Sequence, residues 1–368
     1  MSTRWSDIVL FILVLPCSAV QAQPVTKYSG SDSVLATRWN WAIQETSRQS
    51  ELKEFWIGYS IQRLMDEDSY IYSGKHFSGS EDRGLSLGAL ISGDTSESYG
   101  RIEPRHHDRS YIFKKNKDVA LMFLVSRDSS GNSVVGRVDL CTMDLAFNLK
   151  GEPLLWLGTS QDDESVHLLA DVFERADEVH LRKDIVEAVG IHQQSKESYP
   201  FLSRLLASKE PDGVRTKAAF WIAEQGNPGA LKVLDETARN DRSLKVREQA
   251  VFAISLLDSD ESTDVLIAIA RKADDPKVRA KAAFWLGQKA SQKVLTTLGD
   301  IIENDQETEV QRQALFALWQ IKDSQSVDRL IVIARTHPNP RIRKQAVQIL
   351  GQSDDPKALE ALIEIVKK

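Results

Sequence analysis

Apolar residues recur at a fixed spacing through the second half of the chain. Pairs related to Val-Arg begin every 32 residues, at Val214, Val246, Val278, Val310 and Ile342. Leucines keep the same spacing, and each is followed four positions later by another apolar residue; they are Leu202, Leu234, Leu266, Leu298, Leu330 and Leu362. A period of this length is typical of a repeat protein.

Each unit contains two helical patterns. The leucine with its apolar partner at i+4 predicts a first helix, and the Val-Arg pair opens the pattern VRxxAxxxL of a second. Breaks rich in Asp, Asn, Pro and Gly separate them, at residues 227–230, 274–277 and 337–340. Two antiparallel helices cannot bury their apolar faces alone, so the pattern predicts an α-solenoid of about six units over residues 160–368.

The second helices carry a large residue at alternate units. At about 100° per residue, Trp285 falls on the arc of Val278, Ala282 and Leu286 and is predicted to face the core. Successive units hold Trp221, Ala253, Trp285, Ala317 and Ile349 at this position. Alternation of large and small side chains suits close packing, so we interpret Trp221 and Trp285 as structural and the 64-residue echo as a duplicated pair of repeats.

Phenylalanines recur on the opposite side of the same helices, at Phe220, Phe252, Phe284 and Phe316. Lys217, Gln249, Lys281 and Gln313 lie beside them, and the terminal units have Glu187 and Gln348 instead. This pattern predicts an apolar stripe in a solvated setting. Two interpretations stay open: a partner-binding surface, or rings that neighbouring helices about 10 Å apart cover with each other's side chains.

Residues 23–158 have a mixed pattern without a repeat. A helix is predicted from Ser31, an alternating strand from Phe55, a buried strand from Val119 and its partner strand from Ser133 after a turn. A further hairpin is predicted around Lys150, and residues 74–109 read as a long polar loop. The segment is therefore predicted to be a small α+β domain.

The segments DDPKVRAKAAFWLG and PNPRIRKQAVQILG resemble HEAT repeats, of the short class also seen in phycobilin lyase subunits. The resemblance covers residues 161–368 and implies that the second helices line a concave surface. It also implies a ladder between repeats formed by the Asp-Pro and Arg positions; Asp275 and Arg279 match it, and Gln311 departs from it. The expected fold is mainly α, a C-terminal α-solenoid of HEAT-like helix pairs preceded by the small α+β domain.

The N-terminus reads as a targeting signal. Arg4 precedes an apolar run at residues 8–15 that is shorter than the about 20 residues needed to span a bilayer. Val20 and Ala22 are small residues placed for cleavage, so residues 1–22 are predicted to be a signal peptide, which leaves no membrane span and directs the protein to the periplasm or outside the cell. The alternative is an uncleaved anchor. The segment from Gly151 also resembles a junction found in exported bacterial HEAT-repeat proteins.

The composition of the chain restricts the class of partner that it is expected to bind. The chain is 42% hydrophobic and 27% charged with a net charge of −6 and no long run of one sign, which argues against a nucleic-acid partner. Cys141 is the one cysteine outside the signal, so no disulfide is expected, and we interpret it as a buried strand residue.

Few residues indicate a catalytic or metal-binding site. His106, His107 and Asp108 are adjacent, but no spaced ligands complete a metal site, and His180 and His192 lack partners at ligand spacing. Neither GxSxG nor a phosphate-binding glycine motif occurs. The sequence predicts no catalytic residue, no metal and no cofactor.

The leading hypothesis is a non-enzymatic scaffold of the cell envelope that holds a protein or peptide on its concave face. The predicted partner-binding residues are Phe220, Phe252, Phe284, Phe316, Lys217 and Lys281. The alternatives are a lyase-like or metal-dependent enzyme with a site in the N-terminal domain or the groove, and a purely structural spacer.

Overall fold

A computed structural model describes residues 25–31, 34–49, 52–73, 85–93, 114–289, 291–321 and 323–367. The predicted signal peptide, residues 1–22, and the histidine pair at residues 106 and 107 lie outside the described residues. The described part consists of a small sheet domain followed by a helical solenoid that begins near residue 162.

The described residues form one five-stranded sheet in the order β1-β5-β2-β3-β4. The strands are β1 (Val25–Lys27), β2 (Glu54–Asp66), β3 (Lys114–Arg127), β4 (Ser133–Thr142) and β5 (Leu154–Thr159). The predicted strands at β2, β3 and β4 are confirmed. The hairpin predicted around Lys150 is wrong, because β5 pairs in parallel with β1 and β2 rather than with the segment before it.

Each face of the sheet has its own apolar cover. One face, with Phe55, Ile57, Tyr59 and Ile61, joins the core of the helical repeats and packs with α1 (Leu35–Ser47). The other face is covered by α2 (Leu87–Ser92) and the segment before β5. The helix α2 lies inside the stretch predicted to be a polar loop, since Leu87 and Ile91 are apolar enough to be buried there. Cys141 is buried in β4, as predicted.

The solenoid alternates first and second helices through six complete pairs within the described residues. The first helices are α3 (Asp162–Arg175), α5 (Ser198–Ala207), α7 (Ala230–Asn240), α9 (Asp260–Lys272), α11 (Gln292–Asn304) and α13 (Ser324–Thr336). The second helices are α4 (Val179–Gly190), α6 (Asp212–Glu224), α8 (Leu244–Leu256), α10 (Pro276–Leu286), α12 (Thr308–Gln320) and α14 (Pro340–Leu350). A further helix, α15 (Pro356–Val366), follows in the position of a first helix.

The breaks between helices act as caps. Asp275 accepts a hydrogen bond from the backbone N–H of Lys277 and Pro276 opens α10, while Asn339 and Pro340 do the same for α14. A side-chain acceptor satisfies an N–H that has no partner within the helix, and proline needs none at this position. These dipeptides therefore fix where the second helices begin.

The periodic apolar positions form one continuous core. The valine series is buried, with Val214, Val246 and Val310 fully enclosed, and so is the leucine series from Leu202 to Leu330. The last member of the i+4 series, Val366, is instead 85% exposed, because no further helix in the described residues covers α15.

Arginines connect each unit to the next. The salt bridges are Arg182–Glu210, Arg215–Asp241, Arg247–Asp275 and Arg279–Asp305. The ladder implied by the HEAT resemblance is thus present, with Asp275 and Arg279 each paired to a different neighbour. The ladder stops at Gln311, as predicted. The side chain of Gln311 donates a hydrogen bond to the carbonyl oxygen of Asp305 at 2.9 Å.

The second helices lie on the inner side of the solenoid curve. Neighbouring second helices contact each other along much of their length, whereas neighbouring first helices meet at few points. Unequal spacing of the two layers bends the stack toward the tighter layer. At Gly287 an added Cβ would lie 2.9 Å from both the Cα and the carbonyl oxygen of Ala317, so this glycine permits the close approach of α10 and α12.

We predict that Gly287→Ala lowers the free energy of unfolding by about 1–3 kcal/mol, because a methyl group must displace the backbone of α12. Gly351 occupies the same repeat position 64 residues later and is the matched control, since the nearest atom to its added Cβ is 3.5 Å away. Gly351→Ala is expected to be neutral or slightly stabilising. Urea denaturation of both variants measures the difference; equal stabilities would contradict close packing at Gly287.

Candidate functional site

Aromatic rings run along the inner face of the solenoid from α6 to α12. Phe220 stacks on Phe252 with ring centroids 6.4 Å apart, and Phe284 stacks on Phe316 at 6.0 Å. Trp285 connects the two pairs, 4.8 Å from Phe252 and 5.0 Å from Phe284. We call this set, with the flanking indoles, the aromatic ladder: Phe220, Trp221, Phe252, Phe284, Trp285, Phe316 and Trp319.

The phenylalanines stack between repeats and also remain half-buried. The sequence left open whether these rings form a binding surface or are covered by neighbouring helices, and each interpretation describes part of the arrangement. Each ring contacts rings of the same or the next helix, as packing requires, yet part of it stays accessible to solvent. An accessible apolar stripe of this kind is typical of an interaction surface. A binding role for these residues stays a prediction.

The tryptophans differ from their predicted position. Trp221 and Trp285 pack against the solenoid core but are only half-buried, because their indoles extend from the core to the ladder. Trp221 lies directly over Gly190 of α4, where an added Cβ would come within 2.0 Å of the indole. The helical periodicity predicted that both residues face the core; they contact it, but their indoles are long enough to reach the inner surface as well.

The two predicted lysines are engaged with neighbouring side chains. Lys217 forms a salt bridge with Glu187 of α4, so its charge is neutralised at the N-terminal end of the groove. Lys281 places its ammonium 5.9 Å from the centroid of the Trp285 ring. Cation–π contact at this distance holds Lys281 beside the ladder, and no carboxylate among the described residues forms an ion pair with it.

A buried hydrogen-bond chain joins the sheet to the first repeat. Ser165 Oγ lies 2.7 Å from both His192 Nε2 and the Tyr59 hydroxyl, and His192 Nδ1 lies 2.7 Å from the carbonyl oxygen of Ala188. The carbonyl can only accept, so Nδ1 of a neutral His192 donates, Ser165 donates to Nε2 and Tyr59 donates to Ser165. A serine beside a histidine suggests a nucleophile, but both side chains have no exposed surface. The chain is a structural joint.

Burial also controls protonation near this joint. Desolvation lowers the pKa of His192 and raises the pKa of Asp139 to about 6, although the Arg137 guanidinium beside that carboxyl acts in the opposite direction. Burial raises the pKa of the Cys141 thiol to about 12, so the sulfur stays protonated near neutral pH and is a poor nucleophile.

Within the described parts of the chain, no group of three or more His, Cys, Asp or Glu side chains is placed to hold a metal ion. The metal-dependent alternative involves residues 106–108, outside the described residues, and stays a prediction. Across the same described parts, no helix has the length and apolarity needed to cross a membrane.

Comparison with known proteins supports the repeat assignment. A family model described as HEAT repeats matches residues 209–287 and 295–368, so the chain carries HEAT repeats there. No curated protein sequence matches the chain. Similar solved structures include human deoxyhypusine hydroxylase in complex with glycerol, 15% identical over 55% of this chain and 85% of that one, with a TM-score of 0.25.

A second similar structure is the complex of CpcE and CpcF of phycocyanin lyase from Nostoc sp.. It is 17% identical over 55% of this chain and 80% of that one, with a TM-score of 0.32. Likeness at this level supports no conclusion about the fold or the activity of this chain.

We predict that acid destabilises the protein through His192. The folded-state pKa lies below the ordinary value of 6.5, so the unfolded chain binds more protons once the pH falls below 6.5. The free energy of unfolding should then fall by up to about 1.4 kcal/mol per pH unit until the folded pKa is reached. Asp139 contributes with the opposite sign, since its raised pKa favours the folded state as the pH falls through 6.

Comparison of the wild type with His192→Gln isolates the histidine, because Asp139 is present in both. The variant should be less stable at neutral pH and lose the acid-dependent decline. Urea denaturation between about pH 7.5 and about pH 5 measures this difference. Parallel pH profiles for the two proteins would contradict a buried, neutral His192.

Proposed function

We propose that the protein is a non-enzymatic scaffold that binds an extended protein or peptide segment along the aromatic ladder. The observation that carries the proposal is a ladder of rings that is continuous over four repeats and partly exposed on the inner face. Such a surface retains apolar area that a partner can remove from water. The HEAT repeats found in the chain are consistent with this role.

Repeat geometry sets the spacing of the partner's contacts. Neighbouring helices in a stack lie about 10 Å apart, and an extended peptide rises about 3.3 Å per residue. On average, about every third residue of a partner lying across the second helices would therefore reach a new helix, although the phenylalanines themselves stack in pairs with centroids 6.0–6.4 Å apart. The preferred segment should carry apolar side chains at that interval.

The rings contribute binding free energy in proportion to the area that they still expose. Full burial of an exposed Phe side chain is worth roughly 1.5–3 kcal/mol, so a ring of which about a third or less remains exposed has at most about 0.5–1 kcal/mol left. Two rings together then supply on the order of 1 kcal/mol, and each 1.4 kcal/mol corresponds to about tenfold in affinity.

We predict that Phe252→Ala combined with Phe284→Ala weakens peptide binding by about five- to tenfold. A phage-displayed library of random peptides, selected on the wild type, supplies the ligands, and fluorescence anisotropy measures their affinities. The variant should also be less stable than the wild type, because the stacked rings lose their contacts, so the affinities are compared at a temperature where circular dichroism shows both proteins folded.

The matched control is Val332→Ala combined with Leu359→Ala, which removes exposed apolar groups from first helices outside the ladder. This control should bind the selected peptides as the wild type does. The proposal fails if the phenylalanine variant unfolds cooperatively at a much lower temperature and its folded fraction binds with unchanged affinity, because the rings would then be core residues.

We further propose that the protein is exported to the periplasm or secreted, on the strength of the apolar run at residues 8–15 and the small residues Val20 and Ala22. Expression of the full chain in a bacterium should yield a periplasmic product that begins at Gln23 by mass spectrometry. Ala22→Arg should block this processing. A full-length chain recovered from the membrane fraction of the wild type would instead indicate an uncleaved anchor.

A further inference from the structure

The C-terminal end of the groove contains a polar cleft between α12 and α14. Its volume is about 590 Å³. The lining residues are Thr308, Glu309, Arg312, Arg341, Lys344, Gln345 and Gln348. Three of these are cations and one is an acid, so the cleft carries an excess of positive charge.

Two of the cations have no neutralising partner. Arg312 donates to Glu309 and to Gln345, each at 3.0 Å. The side chains of Arg341 and Lys344 make no ion pair or hydrogen bond with the described residues. Several cations of the first helices pair across repeats instead, as in Arg271–Asp300, Arg335–Glu364 and Lys357–Asp328.

The cleft is continuous with the aromatic ladder. Arg312 lies four residues before Phe316 on α12, and residues at this spacing are neighbours on a helix surface, about 6 Å apart. Gln348 of α14 takes the position that the phenylalanines hold in the preceding units. A segment that follows the ladder past Phe316 therefore comes directly to Arg341 and Lys344.

We propose that this cleft binds Asp or Glu side chains of the segment that the aromatic ladder holds. The inference deepens the proposed function and rests on it. The partner is then a peptide with apolar residues at about every third position and carboxylates beyond the last of them. Guanidinium groups bind carboxylates through paired hydrogen bonds, and the unpaired Arg341 is available for this contact.

The other end of the groove favours the opposite charge. Asp184 and Glu187 lie there on α4; Lys217 is paired with Glu187, and His180 lies 3.7 Å from Asp184. An acidic segment is therefore attracted at α14 and not at α4. The two ends together orient the partner along the ladder.

Fluorescence anisotropy with two synthetic peptides tests the cleft. Both carry leucine at every third position; one ends in glutamates and the other in glutamines. The wild type should bind the glutamate peptide about tenfold more tightly, and added sodium chloride should reduce this preference because the contacts are solvent-accessible.

Arg341→Gln combined with Lys344→Gln should abolish the preference while leaving the affinity for the glutamine peptide unchanged. The matched control is Lys232→Gln combined with Lys272→Gln, which removes the same charge from exposed positions on the first helices α7 and α9. The control should keep the preference, which separates contact in the cleft from the effect of net charge.

The results separate the two proposals. The acidic-segment assignment is overturned if the wild type binds both peptides equally, or if the preference survives Arg341→Gln with Lys344→Gln. The proposed function still stands in that case if Phe252→Ala with Phe284→Ala weakens the binding of both peptides. The proposed function is overturned if Phe252→Ala with Phe284→Ala leaves the affinity for both peptides unchanged. Displacement of the glutamate peptide by inorganic phosphate, beyond the effect of chloride at equal ionic strength, identifies a phosphate site and also overturns the assignment.

Discussion

The structure depends on one constraint: a helix pair of this kind can bury its apolar face only against the next pair. The buried valines and leucines satisfy it, and they do so at one spacing because every unit presents the same face. Close approach of the second helices follows, with Gly287 leaving room for the backbone of α12. The aromatic ladder is a further consequence, since rings at equivalent positions on closely spaced helices must meet each other.

The repeat fold could be predicted from sequence because its contacts repeat locally. The spacing alone indicates that Val278 and Leu266 are buried, and the Asp-Pro breaks indicate where the second helices begin. The sheet was predicted less well. Pairing of β5 with β1 joins residues 154–156 to residues 25–27, and no periodicity encodes a parallel contact across that separation. Burial of α2 was missed for a similar reason, because six residues in a polar stretch carry little helical pattern.

The sequence predicted where the residues of the candidate site lie, but not which side chains they contact. The period placed Phe220, Phe252, Phe284 and Phe316 on one face, and they lie there. That Trp285 joins the two phenylalanine pairs depends on indole length and rotamer, which a helical wheel does not describe. The pairing of Lys217 with Glu187 depends on how α4 and α6 pack. The cleft at α14 needs three residues from one helix and four from another, and sequence spacing alone does not bring them together.

Packing and binding are compatible on the ladder because each ring is only partly buried. Contacts with neighbouring rings stabilise the curve, and the exposed part of each ring is left for a partner. The arrangement is not an optimised core: the indole N–H of Trp285 is buried without a hydrogen-bond partner among the described residues, which costs about 1–3 kcal/mol. An aliphatic residue at this position, such as Ile349 in the last unit, would avoid that cost. It would also remove the contacts that Trp285 makes with Phe252 and Phe284, so the indole makes the aromatic surface continuous across the two phenylalanine pairs.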